Sequence, residues 1–157
     1  MNYNQITVGI VTFKSENTIF NCLKSIKKIK NIIIFDNSND KLLKIKIKKK
    51  YPKIKIFLSK KNLGYGAANN KIIKKSKTPY IFILSPDVIL QKDCEKNLIQ
   101  SIDNLKEEFS IISPISKIKN YGFYKNEKKT KNNILEVDYV DGFAMLINRA
   151  KIKNIGM

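Results

Sequence analysis

Tyr80-Ile81-Phe82-Ile83-Leu84-Ser85-Pro86-Asp87-Val88-Ile89-Leu90 is the stretch that decides the fold. Its first five residues form an apolar run of the length expected for a buried strand. Ser85-Pro86 stops the run, because proline has no N–H to continue a ladder. Asp87 follows the stop. In open α/β sheets ligands sit beyond the carboxyl ends of the strands. A carboxylate at that point is placed to hold a metal and, through it, a phosphate. It is equally placed to cap the next helix, and position alone does not separate the two readings.

Working back towards the N-terminus, two more runs share this character. Ile6-Thr7-Val8-Gly9-Ile10-Val11-Thr12-Phe13 reads as a first strand, β-branched and apolar as a strand covered on both faces should be. Asn31-Ile32-Ile33-Ile34-Phe35 reads as a second, ended by the polar run Asp36-Asn37-Ser38-Asn39-Asp40. Between them Ile19, Leu23 and Ile26 recur at helical spacing, which predicts a helix over about 16–28 with Ser15 as its N-cap. Lysine-rich residues 41–50 predict a short surface helix. Ile54-Lys55-Ile56-Phe57-Leu58 is a third strand, and its Lys55 places it near a sheet edge. In Asn62-Leu63-Gly64-Tyr65-Gly66-Ala67-Ala68-Asn69-Asn70 the two glycines read as a close-packed helix start, with Ile72 and Ile73 on its buried face.

Downstream, Asp93 opens a helix with Cys94, Leu98, Ile102 and Leu105 on one stripe. Phe109-Ser110-Ile111-Ile112-Ser113 is a fifth strand. Residues 117–133 are polar and basic, with Tyr121, Phe123 and Tyr124 interspersed. Strand character returns over 134–140, Asp141-Gly142 signals a turn, and 143–147 is apolar again. Four strands alternating with helices define an α/β chain with a parallel sheet covered on both faces. The late segment breaks that rhythm and predicts an added antiparallel strand or a small mixed sheet. No G-x-G-x-x-G follows the first strand and there is no P-loop, which excludes a plain dinucleotide-binding domain.

The 157 residues suit one domain with a real core. No apolar run is long enough to span a bilayer, and the N-terminus lacks signal-peptide character. Cys22 and Cys94 have no metal-like spacing. Histidine is absent, which removes His-based triads and leaves carboxylates as ligands for hard cations. The formal charge is +18, yet Arg149 is the only arginine and the lysines are scattered. Phosphate-backbone readers use arginine as well, so no specific nucleic acid is expected. The charge favours anionic substrates and anionic lipid surfaces.

If the first, second and fourth strands are neighbours, Thr12 with Phe13, Asp36 and Asp87 converge. Asp36 is placed to accept the N–H of a base and Asp87 to meet a divalent cation. That span fits a nucleoside diphosphate lying across the sheet top, with Mg2+ or Mn2+ stabilising the leaving diphosphate. The plain alternatives are an Asx-rich turn at 36–38, a simple helix start at Gly64 and Gly66, and a simple turn at 141–142.

As an ordered set these pieces resemble family 2 glycosyltransferases of the GT-A fold, especially the bacterial rhamnosyltransferase-like branch. The matching segments are 8–13, Asp36-Asn37-Ser38, Asn62-Leu63-Gly64-Tyr65-Gly66 with Asn69 or Asn70, Leu84-Ser85-Pro86-Asp87, and 140–147. The resemblance implies one GT-A domain over 1–157, with a nucleotide-sugar-binding half at about 1–114 and the start of an acceptor-side region at about 115–157. It implies inverting transfer from a UDP- or dTDP-sugar to a glycan or lipid-linked acceptor hydroxyl, in polysaccharide or cell-envelope synthesis. Thr12 and Phe13 would line the nucleoside pocket, Asp36 would hold the uracil or thymine, Asn62, Gly64, Gly66 and Asn69 would shape the donor pocket, and Asp87 would bind Mg2+ or Mn2+. Asp141 and Gly142 would lie near the transferred sugar and the acceptor. The family often has Asn where this chain has Ser85, and its older form is a DxD triad.

The family continues past an Ile-Gly pair into an aromatic, acidic segment carrying the general base, whereas here Met157 follows Ile155-Gly156. The resemblance therefore implies the donor-binding portion of a longer enzyme, binding a nucleotide sugar yet transferring slowly or not at all, with Asp141 as a poor substitute base. The alternatives are a non-catalytic or degenerate nucleotide-sugar-binding fragment and a basic nucleic-acid or membrane-surface protein. The expected setting is the cytoplasm, free or peripheral at the inner face of an anionic membrane.

Overall fold

The computed structural model describes residues 2–106, 108–116 and 134–152, with the backbone of 128–129. After a 3-10 turn at Tyr3–Gln5 come β1 (Ile6–Thr12), α1 (Ile19–Ser25), β2 (Asn31–Asp36), α2 (Lys41–Lys50), β3 (Lys55–Leu58) and α3 (Tyr65–Lys75). Then follow β4 (Tyr80–Leu84), α4 (Cys94–Leu105), β5 (Ile111–Ile112), β6 (Lys128–Lys129), β7 (Leu135–Glu136), β8 (Ala144–Asn148) and α5 (Arg149–Ile152).

The main sheet has the order β3-β2-β1-β4-β8-β5. β1 pairs in parallel with both β2 and β4, and β2 with β3. Every residue of β1 and of β4 is buried, as their unbroken apolar character requires of strands covered on both faces. β3 is an edge strand and its Lys55 is exposed, as the charge suggested. The late apolar run is β8, inserted antiparallel between β4 and β5, with Leu84 opposite Ala144 and Ile112 opposite Leu146. β6 and β7 pair with each other in a separate two-stranded sheet.

Alternation along the strands sorts the core into two layers. Val8, Ile10, Phe82, Leu84 and Leu146 face α1, α2 and α4, meeting Ile19, Leu23, Leu43, Ile47, Leu98 and Ile102. On the opposite face Val11, Ile33 and Phe35 meet Ala68 and Ile72 of α3, and Ile81 and Ile83 meet Ile73 and Ile147. Each of the fully buried aliphatics contributes about 1.5–3 kcal/mol relative to exposure. Gly9 lets α3 sit down on β1: a Cβ there would stand 2.6 Å from Ile72 Cγ2 and 3.1 Å from Ile83 Cδ1.

Several boundaries differ from the expectations. α1 is shorter than 16–28, and Ser15 does not cap it. The Ser15 hydroxyl turns back, donating to the Phe13 carbonyl at 3.2 Å and accepting its N–H at 3.1 Å. Beyond α1, Ile26 and Ile29 stay buried on irregular backbone. The N–H groups that the helix leaves there donate to a side chain on α4: Glu95, 7% exposed, accepts from Lys27, Lys28 and Ile29 at 2.8–3.0 Å. Asp93 precedes α4 in the left-handed region (φ 67°), and its side chain makes no cap bond. The fifth strand contracts to Ile111–Ile112, while Phe109 stacks on Tyr80 with ring centroids 6.0 Å apart. Strand character over 134–140 is realised only at Leu135–Glu136. The readings for Tyr121, Phe123, Tyr124 and Ile155-Gly156 lie outside the described residues.

Candidate functional site at the carboxyl ends of the strands

Because β2 and β4 flank β1, the ends of all three strands lie side by side. Asp36 and Asp87 therefore follow strands two inter-strand spacings apart, about 10 Å. Asp36 is 1% exposed and sits in register with Thr12. The Thr12 hydroxyl donates to Asp36 Oδ1 at 2.8 Å, and the Ser38 hydroxyl does so at 2.8 Å. The Asp40 N–H donates to Oδ2 at 2.8 Å. A carboxylate oxygen accepts up to two bonds, so among the described residues Oδ2 keeps capacity for one more donor. Thr12 is 0% exposed, and its hydroxyl is engaged with Asp36. Phe13, one residue on, is 49% exposed, with Lys14 Nζ 5.6 Å from its ring centre.

Asn37 was not singled out from the sequence, yet it ties two elements of the site together. Its N–H donates to the Thr12 carbonyl at 2.8 Å. Its side chain donates to the Gly64 carbonyl at 3.2 Å and accepts the Leu63 N–H at 3.3 Å. The only sequence signal was its place in Asp36-Asn37-Ser38. Asn62 Oδ1 accepts the Gly64 N–H at 2.9 Å, closing an Asx turn before α3. Gly64 has φ +77°, which favours glycine. The expected close packing at the glycines is not what they provide: a Cβ at Gly64 or Gly66 would meet nothing within 4 Å. The small residue that packs is Ala68, 0% exposed.

Tyr65 brings the late segment to the same end of the sheet, donating from its hydroxyl to the Gly142 carbonyl at 2.6 Å. One turn along α3, Asn69 is 6% exposed, and its buried Oδ1 has no hydrogen-bond partner. The same holds for Asp141 Oδ2. Two buried acceptors without donors among the described residues are costly unless something supplies donors.

Asp87 is exposed and caps no helix, since α4 begins only at Cys94. It lies on the rim of a cleft of about 700 Å³ that runs past Leu90 and Leu98 to Pro114 and Phe143. Behind it, Cys22 donates its thiol to the Ser85 carbonyl at 3.6 Å. Burial, reinforced by the Asp87 charge, pushes the Cys22 thiol up from 9.0 to about 12. Cys94 rises to about 11, through burial and then the Glu95 charge. Both are therefore thiols, not thiolates, near neutral pH. Among the described residues no three carboxylates or cysteines gather as a ready-made metal cage. Asp87 fits the other mode of hard-cation binding, in which one carboxylate shares the ion with phosphate oxygens and water.

A mostly parallel sheet with one antiparallel strand set inside it, flanked by helices and loaded with carboxylates at its strand ends, is a GT-A-like Rossmann arrangement. The chain belongs to glycosyl transferase family 2, whose sequence profile matches residues 7–154. Among solved structures, S. aureus TarS 1-349 superposes with a TM-score of 0.71 at 17% identity, covering 99% of this chain and 49% of that one. The same protein in complex with UDP-GlcNAc gives 0.72 at 18% identity, with 99% and 47% coverage. The mannosyltransferase PcManGT from Pyrobaculum calidifontis, in complex with GDP-Man and Mn2+, gives 0.74 at 9% identity, with 97% and 46% coverage. At these identities the likeness is one of fold, and the chain spans about half the length of each of these structures. No curated protein matches the sequence.

Proposed function

We propose that this chain is the donor-binding part of an inverting glycosyltransferase that uses a UDP- or dTDP-sugar and delivers the sugar to a glycan or lipid-linked hydroxyl. The observation that carries the reading is the Asp36 network at the end of β2, with Asp87 two strands away. Thr12, Ser38 and the Asp40 N–H fix the carboxylate, and its remaining Oδ2 capacity suits the ring N–H of uracil or thymine. Exposed Phe13 offers a flat apolar surface beside the base. The rhamnosyltransferase-like branch rests on the sequence resemblance.

The residues of this chain would bind and orient the donor. Asn69 Oδ1 and Asp141 Oδ2, both lacking donors, would accept hydroxyl groups of the sugar or acceptor. Asp87 would hold Mg2+ or Mn2+, which when bound stabilises negative charge on the departing diphosphate. In the transfer, the acceptor oxygen forms the new bond to the anomeric carbon as the bond to the diphosphate breaks, and the acceptor proton passes to a carboxylate. Asp141 is our assignment for that proton among the described residues. Membership of the family and the nucleotide-sugar complexes of TarS and PcManGT support the reading.

The test is calorimetric titration with UDP and dTDP, with and without Mn2+, of the parent chain and of Asp36→Asn and Asp87→Ala. One of the two nucleotides should bind with Mn2+ dependence. Each substitution should weaken binding by about tenfold or more, the cost of one charge-assisted contact. Binding of neither nucleotide by a folded chain, or binding that both variants retain in full, would overturn the proposal.

A further inference from the structure

The outward face of α2 is unusual for a surface helix. Leu43 and Ile47 are its buried residues, at 3% and 0% exposure. At about 100° per residue, Ile45 points directly away from that pair, and Leu42 lies about 60° further round. Both stand in solvent, Leu42 at 70% and Ile45 at 63% exposure. Every other exposed position of the helix is lysine: 41, 44, 46, 48, 49 and 50. No acidic residue falls between 41 and 50. Two of the lysines are occupied at the C-terminal end. Lys48 Nζ donates to the carbonyls of Pro52 and Ile54, and Lys50 Nζ lies over the rings of Phe20 and Tyr51. Among the described residues Lys41, Lys44, Lys46 and Lys49 have no such contact, and they stand around the two aliphatic side chains.

Two exposed aliphatics set among lysines on one outward face combine the apolar and cationic groups that an anionic lipid surface attracts. The aliphatic groups enter the headgroup boundary while lysine stems extend to the phosphates. α1 packs on the same face of the sheet, and a groove between it and α4 carries Lys24, Lys27, Lys28, Lys92 and Lys96 with Asp93 and the buried Glu95. We infer that α2, through Leu42 and Ile45 ringed by its lysines, is the surface by which this chain docks on an anionic lipid bilayer. The charge of the sequence favours such a contact without locating it; the structure supplies the face.

The placement has a consequence for the candidate site. Asp40 caps α2 by accepting the Leu43 N–H at 2.8 Å, and its own N–H donates to Asp36 Oδ2. The docking helix therefore starts at the edge of the carboxyl-end cluster. Docking needs no nucleotide, so it stands or falls separately from the donor-site reading.

The experiment is co-sedimentation of the full chain with vesicles of phosphatidylcholine alone and of phosphatidylcholine with about a third phosphatidylglycerol. A short duplex DNA serves as a second polyanion. The variants are Leu42→Asn with Ile45→Asn, and Lys41→Gln with Lys44→Gln and Lys49→Gln. All five positions are exposed, and circular dichroism checks that each variant is folded. Of the two vesicle types the parent should bind only the anionic one. The lysine variant should lose on the order of a hundredfold, each cation near the surface being worth about fivefold. The aliphatic variant should lose about tenfold for vesicles and nothing for DNA. No binding to anionic vesicles, or vesicle binding that the aliphatic variant leaves intact, would overturn the inference. Equal loss for DNA and vesicles in both variants would do the same, since it would mark a general polyanion surface.

Discussion

Gly9→Ala tests the packing that brings α3 to the site. The new Cβ would lie 2.6 Å from Ile72 Cγ2. Carbon atoms in good contact are about 3.5–4.0 Å apart, so roughly 1 Å must be found. Ile72 is 0% exposed, and the clashing atom is a branch carbon next to its own backbone, with Ile72 Cβ itself only 3.7 Å away. Side-chain rotation alone does not clear the space, and α3 must lift. Overpacking of this kind costs about 1–3 kcal/mol. The lower chain entropy of alanine in the unfolded state returns about 0.4–1 kcal/mol. The net loss is up to about 2.6 kcal/mol, or a fall in Tm of up to about 10 °C at this chain length. Urea titration of parent, Gly9→Ala, Ile72→Ala and the double variant gives the coupling. Ile72→Ala alone costs about 2–5 kcal/mol for its cavity. In the Gly9→Ala background it should cost at least about 1 kcal/mol less, because it also removes the clash. A single variant as stable as the parent, together with additive energies in the cycle, would refute the reasoning.

Two further outcomes follow from buried groups. Glu95→Ala should cost about 3–5 kcal/mol, because three N–H donors at 27–29 lose their shared acceptor at once; thermal unfolding should show a drop of about 6–20 °C, while exposed Glu16→Ala leaves Tm within about 2 °C. Cys22 gives a pH dependence: its folded thiol titrates near 12 against 9.0 when unfolded, so above pH 9 the unfolded chain loses protons that the folded chain keeps. Stability should fall with rising pH in that window by up to about 1.4 kcal/mol per unit from this thiol. Urea midpoints between pH 8 and 10.5 should fall less steeply in Cys22→Ala, and equal slopes would sink the assignment.

The strands that build the site were readable because their signal is local. Residues 6–13, 31–35 and 80–84 read as runs bounded by polar or proline stops, and they became β1, β2 and β4, buried except at Asn31 and Ile32 of β2. Lys55 marked the edge for the same reason. β8 was readable as an apolar run, but not as the strand between β4 and β5, since its pairing partners lie far away in sequence. Periodicity overran α1 because Ile26 is buried without being helical. Glu95 gave no sign at all: its partners are main-chain N–H groups, which carry no residue identity. At the site, the places of Asp36 and Asp87 followed from where their strands stop. Asn37 and Tyr65 act by reaching across to other elements, which a single run of residues does not display.

The insertion of β8 also orders events during synthesis. β4 is finished at Leu84, but the strand that covers its free edge ends at Asn148. Until those residues leave the ribosome, Tyr80–Leu84 has one row of backbone groups unpaired, and β5 has nothing to join. The sheet therefore closes from the inside late, through contacts about sixty residues apart, which slows folding. A nascent or prematurely ended chain lacking β8 presents a long-lived apolar edge to its neighbours on the same message, the kind of edge that seeds aggregation.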